Sequence, residues 1–305
     1  QSEAMEAFVP SVAVSGAFML TLISLGVFIY YVDHVAHAIR VVHIIEAVAE
    51  ETRETLGALM GPGTVPDPTT LPSGPPDAVL NNHRRPGIVT DIDSAGLVAL
   101  ARRHHCCLGI VPYVGDFVPL RAPLARVWFD PGHSGMPTPE QLGDHVALGR
   151  ERTMGQDAAF GFRQLVDIAE KALSPAMNDL TTAVQAIDQI HDLLRRLATA
   201  DYPTGYYLDE PGALRAMRPL HRWDDYLDLA LTEIRQYGAT SVQVQRRLRA
   251  LLADLTEATR DAPERARPIT RHLELLELSV LTGLPEGDRE LARVPDEQGL
   301  GGGPH

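Results

Sequence analysis

Lysine is nearly absent. Lys171 is the only one in 305 residues, and every other basic side chain except histidine is arginine. Acidic residues outnumber basic ones and the formal net charge is −13. Such a chain has no basic face for a phosphate backbone, which excludes nucleic acid as a partner. Cysteine is scarce too. Cys106 and Cys107 are adjacent, so they staple no distant segments, and reduced thiols fit a cytoplasmic compartment. No glycine-rich phosphate loop and no nucleophile with its base stand out. What is present is an ordinary globular composition, 45% hydrophobic and 22% charged, enough for one large domain or two smaller ones. Its richness in Ala, Gly, Pro and Arg reads as the codon bias of a GC-rich genome.

The segment 7–32 contains no charged residue. Its core, "SVAVSGAFMLTLISLGVFIYY" from Ser11, is long enough for a hydrocarbon layer of about 30 Å. Pro10 sits where a missing N–H is harmless, and Tyr30 and Tyr31 mark an interface. A signal peptide fits less well, because no basic residue precedes the run and no small-residue cleavage motif follows it. The expectation is a transmembrane helix over 7–32. Glu3 and Glu6 precede it and Arg40 and Arg53 follow, which places the remainder in the cytoplasm, at a bacterial inner membrane. Ala13, Ala17 and Thr21 form a small-residue stripe suited to another span. A start at Gln1, just before this run, points to the C-terminal part of a longer protein.

A membrane-exit helix is expected over 33–60. Val35, Ala38, Val42, Ile45, Ala49, Thr52, Leu56 and Leu59 keep a heptad-like spacing suited to packing against helices of the same or neighbouring chains. At its start, "DHVAHAIR" places Asp33, His34 and His37 on neighbouring turns. They form either an ion, proton or metal cuff or a plain polar cuff at the interface. The plain reading is favoured, because metal sites usually need three or more ligands.

Residues 61–86 are so rich in Pro and Gly that a linker or long loop is expected. Residues 87–153 read as a small β-rich module. Strands are expected from Ile88, over 106–112, 117–120 and 125–129, with a helix over 94–103 capped by Ser94. "VPYVGDFVPLRAPLARV" resembles the half-barrel of biotinyl and lipoyl domains but lacks their modified lysine, so a packing module is expected. In "RRHHCC", strand alternation would put His104 with Cys106 and His105 with Cys107, and structural packing is favoured over metal. Thr138, Pro139 and Gln141 spell a capping box that opens a short helix, with a strand to follow near Val146.

Residues 154–282 read as a helical cytoplasmic domain. Phe162, Leu165, Val166, Ala169 and Leu173 share one helical face, and Ala183, Val184, Ile187, Ile190, Leu194 and Leu197 share the next. Between them Ser174-Pro175 stops one helix and Asn178 or Asp179 caps the other. Arg152, Asp157, Arg163, Asp167, Asn178 and Asp179 then supply opposite charges near this joint. They form either a ligand site at a helix N-terminus or a buried salt-bridge and capping network, and the network is favoured. Further helices are expected up to Gly238, from Ser241, and from about Pro268 to Leu281. Arg246, Arg247 and Arg249 read as a solvated face able to touch anionic lipid, and 283–305 as a disordered tail.

The stretch "LGRERTMGQDAAFGFRQLVDIAEKALSPAMNDLTTAVQAIDQIHDLLRRL", Leu148 to Leu197, together with "YYVDHVAHAI", resembles the signature of a bacterial family of integral membrane proteins known as a domain of unknown function, DUF2254. The resemblance runs from about Phe8 to Ser279. At the joint this chain has Met177 and Leu180 where that family usually carries Ile and Pro. The resemblance implies several N-terminal spans and a cytoplasmic region, and supplies no activity or cofactor. The expected fold is α+β, mainly α: a transmembrane helix continuing into a cytoplasmic helix, a small β-barrel-like module and a C-terminal helical domain. The leading functional expectation is a homo-oligomeric, channel-like or gated, sensing assembly in the lipid bilayer. A membrane-anchored scaffold docking a protein partner on its cytoplasmic domain is the alternative, and a membrane-bound enzyme ranks lowest.

Overall fold

The computed structural model describes residues 11–38, 41–60 and 71–301, with side chains over 14–32, 41–60 and 71–301. The chain divides into two compact units, Gln1–Ile44 and Ile45–His305. In the first, helix α1 (Ser11–Ala38) contains Val14–Val32, 19 residues of mean hydropathy 1.8, none of them buried. Among the described residues it is the one helix long and apolar enough to cross a membrane. Thr21 folds its hydroxyl back onto the carbonyl of Ala17 at 2.9 Å, which satisfies it without a partner helix.

The second unit begins within α2 (Val41–Leu59). Strands β1 (Ala78–Asn81) and β2 (Gly87–Ile92) precede α3 (Ser94–Arg103). Then come β3 (Cys106–Ile110), β4 (Phe117–Val118), β5 (Pro123–Phe129), α4 (Pro139–Gly143) and β6 (Val146–Gly149). A helical hairpin follows, α5 (Ala158–Leu173) and α6 (Leu180–Thr199), then β7 (Tyr206–Leu208) and β8 (Leu214–Met217). Helices α7 (Trp223–Tyr237), α8 (Val242–Ala258), α9 (Pro263–Gly283) and α10 (Glu286–Ala292) complete the unit.

The module is two open sheets and not a closed barrel. One has the order β1-β5-β3-β8-β7 and the other β4-β2-β6. Three of its strands lie outside the expected module. β1 falls within the Pro/Gly-rich stretch, because the window 77–85 is free of proline and Leu80 has a core to enter. β7 and β8 fall within the region read as wholly helical, and β8 runs parallel to β3. Their signal was "DEPG" at 209–212, a turn between two strand-forming runs. The half-barrel line therefore supplies one strand to each sheet, β4 at the edge of the smaller and β5 inside the larger.

Local chemistry explains most boundaries. Thr138 and Gln141 form the expected reciprocal capping box. α3 is capped by Asp93 rather than Ser94, with Oδ1 accepting from Gly96 N at 2.9 Å and Oδ2 facing His145 Nδ1 at 3.0 Å. His104 already caps the C-terminus of α3 and His105 sits at φ 50°, so only the cysteines of "HHCC" belong to β3 and the expected His–Cys alternation does not form. Both cysteines are buried; burial pushes Cys106 to about 11 and Cys107 to about 12. α9 starts at Pro263, five residues before the expected start, and carries Pro268 within its second turn.

One apolar core joins α2, α5, α6, α7, α8 and α9. Ile45, Ala49, Thr52 and Leu56 of α2 are buried at the expected helical spacing. α2 comes so close to α5 that a Cβ on Gly161 would lie 1.9 Å from Thr52 Oγ1 and 2.9 Å from Met154 Cε. Thr52 and Thr55 bond carbonyls of their own helix, and Thr55 also donates to Met154 O at 3.1 Å.

The arginines of α8 face inward, not toward solvent or lipid. Arg246 is 2% exposed and donates from Nε to Val294 O at 2.9 Å, while Arg247 bonds Asp188 and Arg249 bonds Glu277. They are buried because 284–301 is ordered against this region and does not form a disordered tail. Leu284 and Ala292 pack with Val280 and Val242, and Asp296 accepts from Gly299 N and Gly301 N at 2.9 and 2.7 Å.

Two histidines in this half are drawn in from solvent, His272 buried and His191 half-buried. His191 Nδ1 faces Arg247 Nη2 at 2.9 Å and Nε2 faces Asp254 Oδ2 at 2.9 Å. An arginine can only donate, so Nδ1 must accept and Nε2–H donates to Asp254: this geometry requires a neutral ring. Burial holds His191 below the ordinary histidine value, Asp254 opposes that, and Arg247 adds to it. His272 is likewise lowered, by burial first, with Nε2 3.0 Å from Asp228 Oδ1.

Two outcomes follow from this packing. In an open helix Gly→Ala stabilises by about 1 kcal/mol, but at Gly161 the added methyl meets Thr52. Gly161→Ala is expected to cost about 1–3 kcal/mol, read as a lowered Tm in detergent, with partial recovery in Gly161→Ala/Thr52→Ala. For the histidines, a lowered native pKa means that the unfolded chain binds more protons below pH 6.5. Their stabilisation is complete above that value and is lost as the pH falls. The Tm should decline on acidification below about 6.5, and His191→Gln/His272→Gln should flatten that decline. An unchanged slope in the double variant would contradict the assignment.

Candidate functional site

The expected polar residues do not form one site. α5 has 16 residues, a length of about 24 Å, and separates them into three places. At its C-terminal end lies the joint. Asn178 adopts φ 46°, Asp179 caps α6, and its carboxylate accepts from Thr182 N at 3.1 Å and Thr182 Oγ1 at 2.6 Å. Those bonds hold Asp179 below the usual carboxylate range. Pro175 to Asn178 are exposed, and the joint has the geometry of a capped helix turn.

Along α5, Arg163 bonds Asp167 and Glu170 on its own helix and Glu233 on α7. Burial works against its charge, yet Asp167 and Glu233 raise its pKa. Glu170 is raised by burial and by Glu233 beside it. This is an interhelical clamp. Asp33, His34 and His37 belong to α1, and their side chains lie outside the described residues.

At the N-terminal end of α5 the geometry is different. Asp157 is 2% exposed and caps the helix, Oδ1 accepting from Phe160 N at 3.1 Å. Oδ2 accepts from Arg152 Nε and Nη2 at 3.0 and 2.7 Å. Gly115, at φ 95°, lets the 113–116 turn rest on this pair, since a Cβ there would lie 2.3 Å from Asp157 Oδ2 and 2.4 Å from Arg152 Nη2. Next to it Gln156 donates to Asp91 Oδ1 at 2.5 Å, and its carbonyl accepts from Arg218 Nη1 at 2.8 Å.

These groups border a narrow cleft of about 30 Å³, room for one or two waters. Tyr113 stacks on His221 with ring centres 4.7 Å apart, and His221 meets Tyr226 edge-on at 5.9 Å. Burial and the nearby Asp157 raise the Tyr226 hydroxyl. Arg218 lines the cleft, and its Nε is buried without a partner. Leu59 and Met60, at the end of α2, close one side. Arg152 and Asp157 were legible in the sequence. Tyr113, Arg218, His221 and Tyr226 were not, because they lie far apart in the chain and meet only where the turn after β3 reaches the segment between β8 and α7. Among the described residues no group of three or more His, Cys, Asp or Glu side chains is arranged to hold a metal ion.

Residues 1–254 match the family described as "Predicted membrane protein (DUF2254)". Uncharacterised proteins of Mycobacterium bovis and Mycobacterium tuberculosis are 32% identical over 292 residues, which cover 93% of this chain and 56% of theirs. The chain thus spans about half the length of the curated relatives it matches. No solved structure matches it. The two stretches of the signature, the Arg152–Asp157 segment with its α5–α6 hairpin and the histidine-bearing end of α1, both fall inside the matched region, and the chain belongs to the DUF2254 family of predicted membrane proteins.

Proposed function

We propose that this chain is the sensing part of a gated, homo-oligomeric assembly in the bacterial inner membrane, with its second unit in the cytoplasm. Occupancy of the Tyr113–Asp157–His221 cleft would be read by α2. The observation that carries this reading is the convergence of Leu59 and Met60, the end of α2, with Asp157, Arg218 and His221 on one cleft. A ligand there would touch the helix whose sequence continues back to the apolar segment. Any pore would need spans from further copies or from the remainder of a longer chain.

Arg218 with its unpaired Nε, and His221 beside it, suit a small anion. Both oxygens of Asp157 are engaged, which argues against its use as a general base. The scaffold alternative draws on a separate groove of about 750 Å³ along Trp128, Asp130 and Arg215.

The test is thermal denaturation with hydrogen exchange on full-length protein in nanodiscs, titrated with chloride, nitrate and formate, anions small enough for the cleft. One of these anions should raise the Tm, with a stabilisation that grows with the logarithm of its concentration and reaches about 2.7 kcal/mol at a hundredfold excess over Kd. The same anion should slow exchange over residues 53–60. Arg218→Gln should weaken it at least tenfold. A shift unaltered in Arg218→Gln, or no change in α2 with any anion, would contradict the reading.

A further inference from the structure

We propose that the two loops at 82–86 and 117–121 form a rigid finger that docks on a bilayer surface bearing anionic headgroups. The proposal is independent of the cleft. The first observation is how firmly the loops are joined. Asn82 is fully buried, and its amide donates to Pro119 O at 3.2 Å while its Oδ1 accepts from Arg84 N at 3.0 Å. The backbones exchange two more bonds, Arg121 N to Asn82 O and Asn82 N to Ala122 O, both 2.8 Å. Arg121 sits at φ 66°, a conformation this lacing holds in place.

The second observation is what this scaffold presents. Val118 is buried as an anchor, while Phe117 and Leu120 on either side are 64% and 54% exposed. His83, Arg84, Arg85 and Arg121 surround them, all exposed. Arg84 is engaged by Asp144 at 2.9 Å, but among the described residues Arg85 and Arg121 have no ion-pair partner. The neighbouring Asp116 turns back into its own turn, accepting from Tyr113 N at 2.9 Å. In a chain of net charge −13, two unpaired arginines beside two exposed apolar side chains form a local cationic, apolar tip. Apolar side chains flanked by arginine are the layout of an interfacial anchor: the rings enter the headgroup boundary and the guanidinium groups meet phosphate. The arginines of α8, which the sequence offers for this role, are buried. The family to which the chain belongs is one of predicted membrane proteins, so a bilayer is the surface chosen for the test.

The experiment labels Phe117→Cys with an environment-sensitive maleimide in otherwise full-length protein. Cys106 and Cys107 are buried, with thiols pushed up to about 11 and about 12, and will not compete. The labelled protein is placed in nanodiscs of phosphatidylcholine, with and without phosphatidylglycerol. The proposal expects blue-shifted emission and quenching by brominated lipid in the anionic discs, both reduced by high salt. Arg85→Glu/Arg121→Glu should lose that docking at an unchanged Tm, since neither arginine supports the fold. One cation near such a surface is worth about a fivefold change in association, so removing and reversing two should cost at least about thirtyfold. Quenching by aqueous acrylamide in both disc types would overturn the proposal. So would protection that is independent of phosphatidylglycerol, or protection that appears only on raising protein concentration, which would indicate contact between copies.

Discussion

Thr52 lies against the backbone of Gly161, and α2 therefore cannot shift without displacing α5. Only the short Thr52 side chain and the tip of Met154 lie at that crossing. Protein interiors are packed to crystal density, so such a contact transmits displacement instead of absorbing it. The other positions of α2 reinforce it: Ile45, Ala49 and Leu56 enter the same core as Phe162, Leu165 and Ile187. Thr55 fixes the segment before α5 through Met154. The cleft opens at the N-terminal end of α5, bordered by the last residues of α2.

Around that core, charged groups serve mainly as connectors between helices. Arg163 ties α5 to α7, Arg247 and His191 tie α6 to α8, and Arg246 ties α8 to the segment after α10. Arginine suits these roles because its planar fork serves several acceptors at once, whereas a lysine offers a point charge. The near-absence of lysine is thus compatible with a chain whose cations are largely structural. The exceptions stand out. Arg218, Arg235 and Arg249 each keep a buried Nε without a partner, Arg218 alone of these at the cleft, and Arg85 and Arg121 make no ion pair among the described residues.

The fold was legible in the sequence where one element's own periodicity decides it. The apolar run of α1, the buried stripe of α2, the faces of α5 and α6, and the Thr138 capping box all follow from local spacing. Legibility failed where burial depends on distant partners. Arg246 carries charge and reads as solvated, yet it is buried because Val294 supplies a carbonyl 48 residues later. β7 and β8 fall in a region read as a helical domain, and form where β3 offers β8 an edge to pair with. For the candidate site, the Arg152–Asp157 half could be read from a five-residue spacing, while the Tyr113–His221 half is made by tertiary folding alone. The joint at Ser174–Asp179, chemically the most conspicuous phrase in the chain, is a capped turn at the far end of α5 from the cleft.

The most direct test of the coupling is native-state hydrogen exchange along residues 45–59, compared with α5, in full-length protein under conditions where exchange proceeds by rare opening. If α2 is part of the same cooperative unit, its amides and those of α5 will open with the same free energy and the same denaturant dependence. Opening of α2 at markedly lower free energy, with α5 still protected, would show that the helix following the apolar α1 in sequence is detachable and would contradict the account.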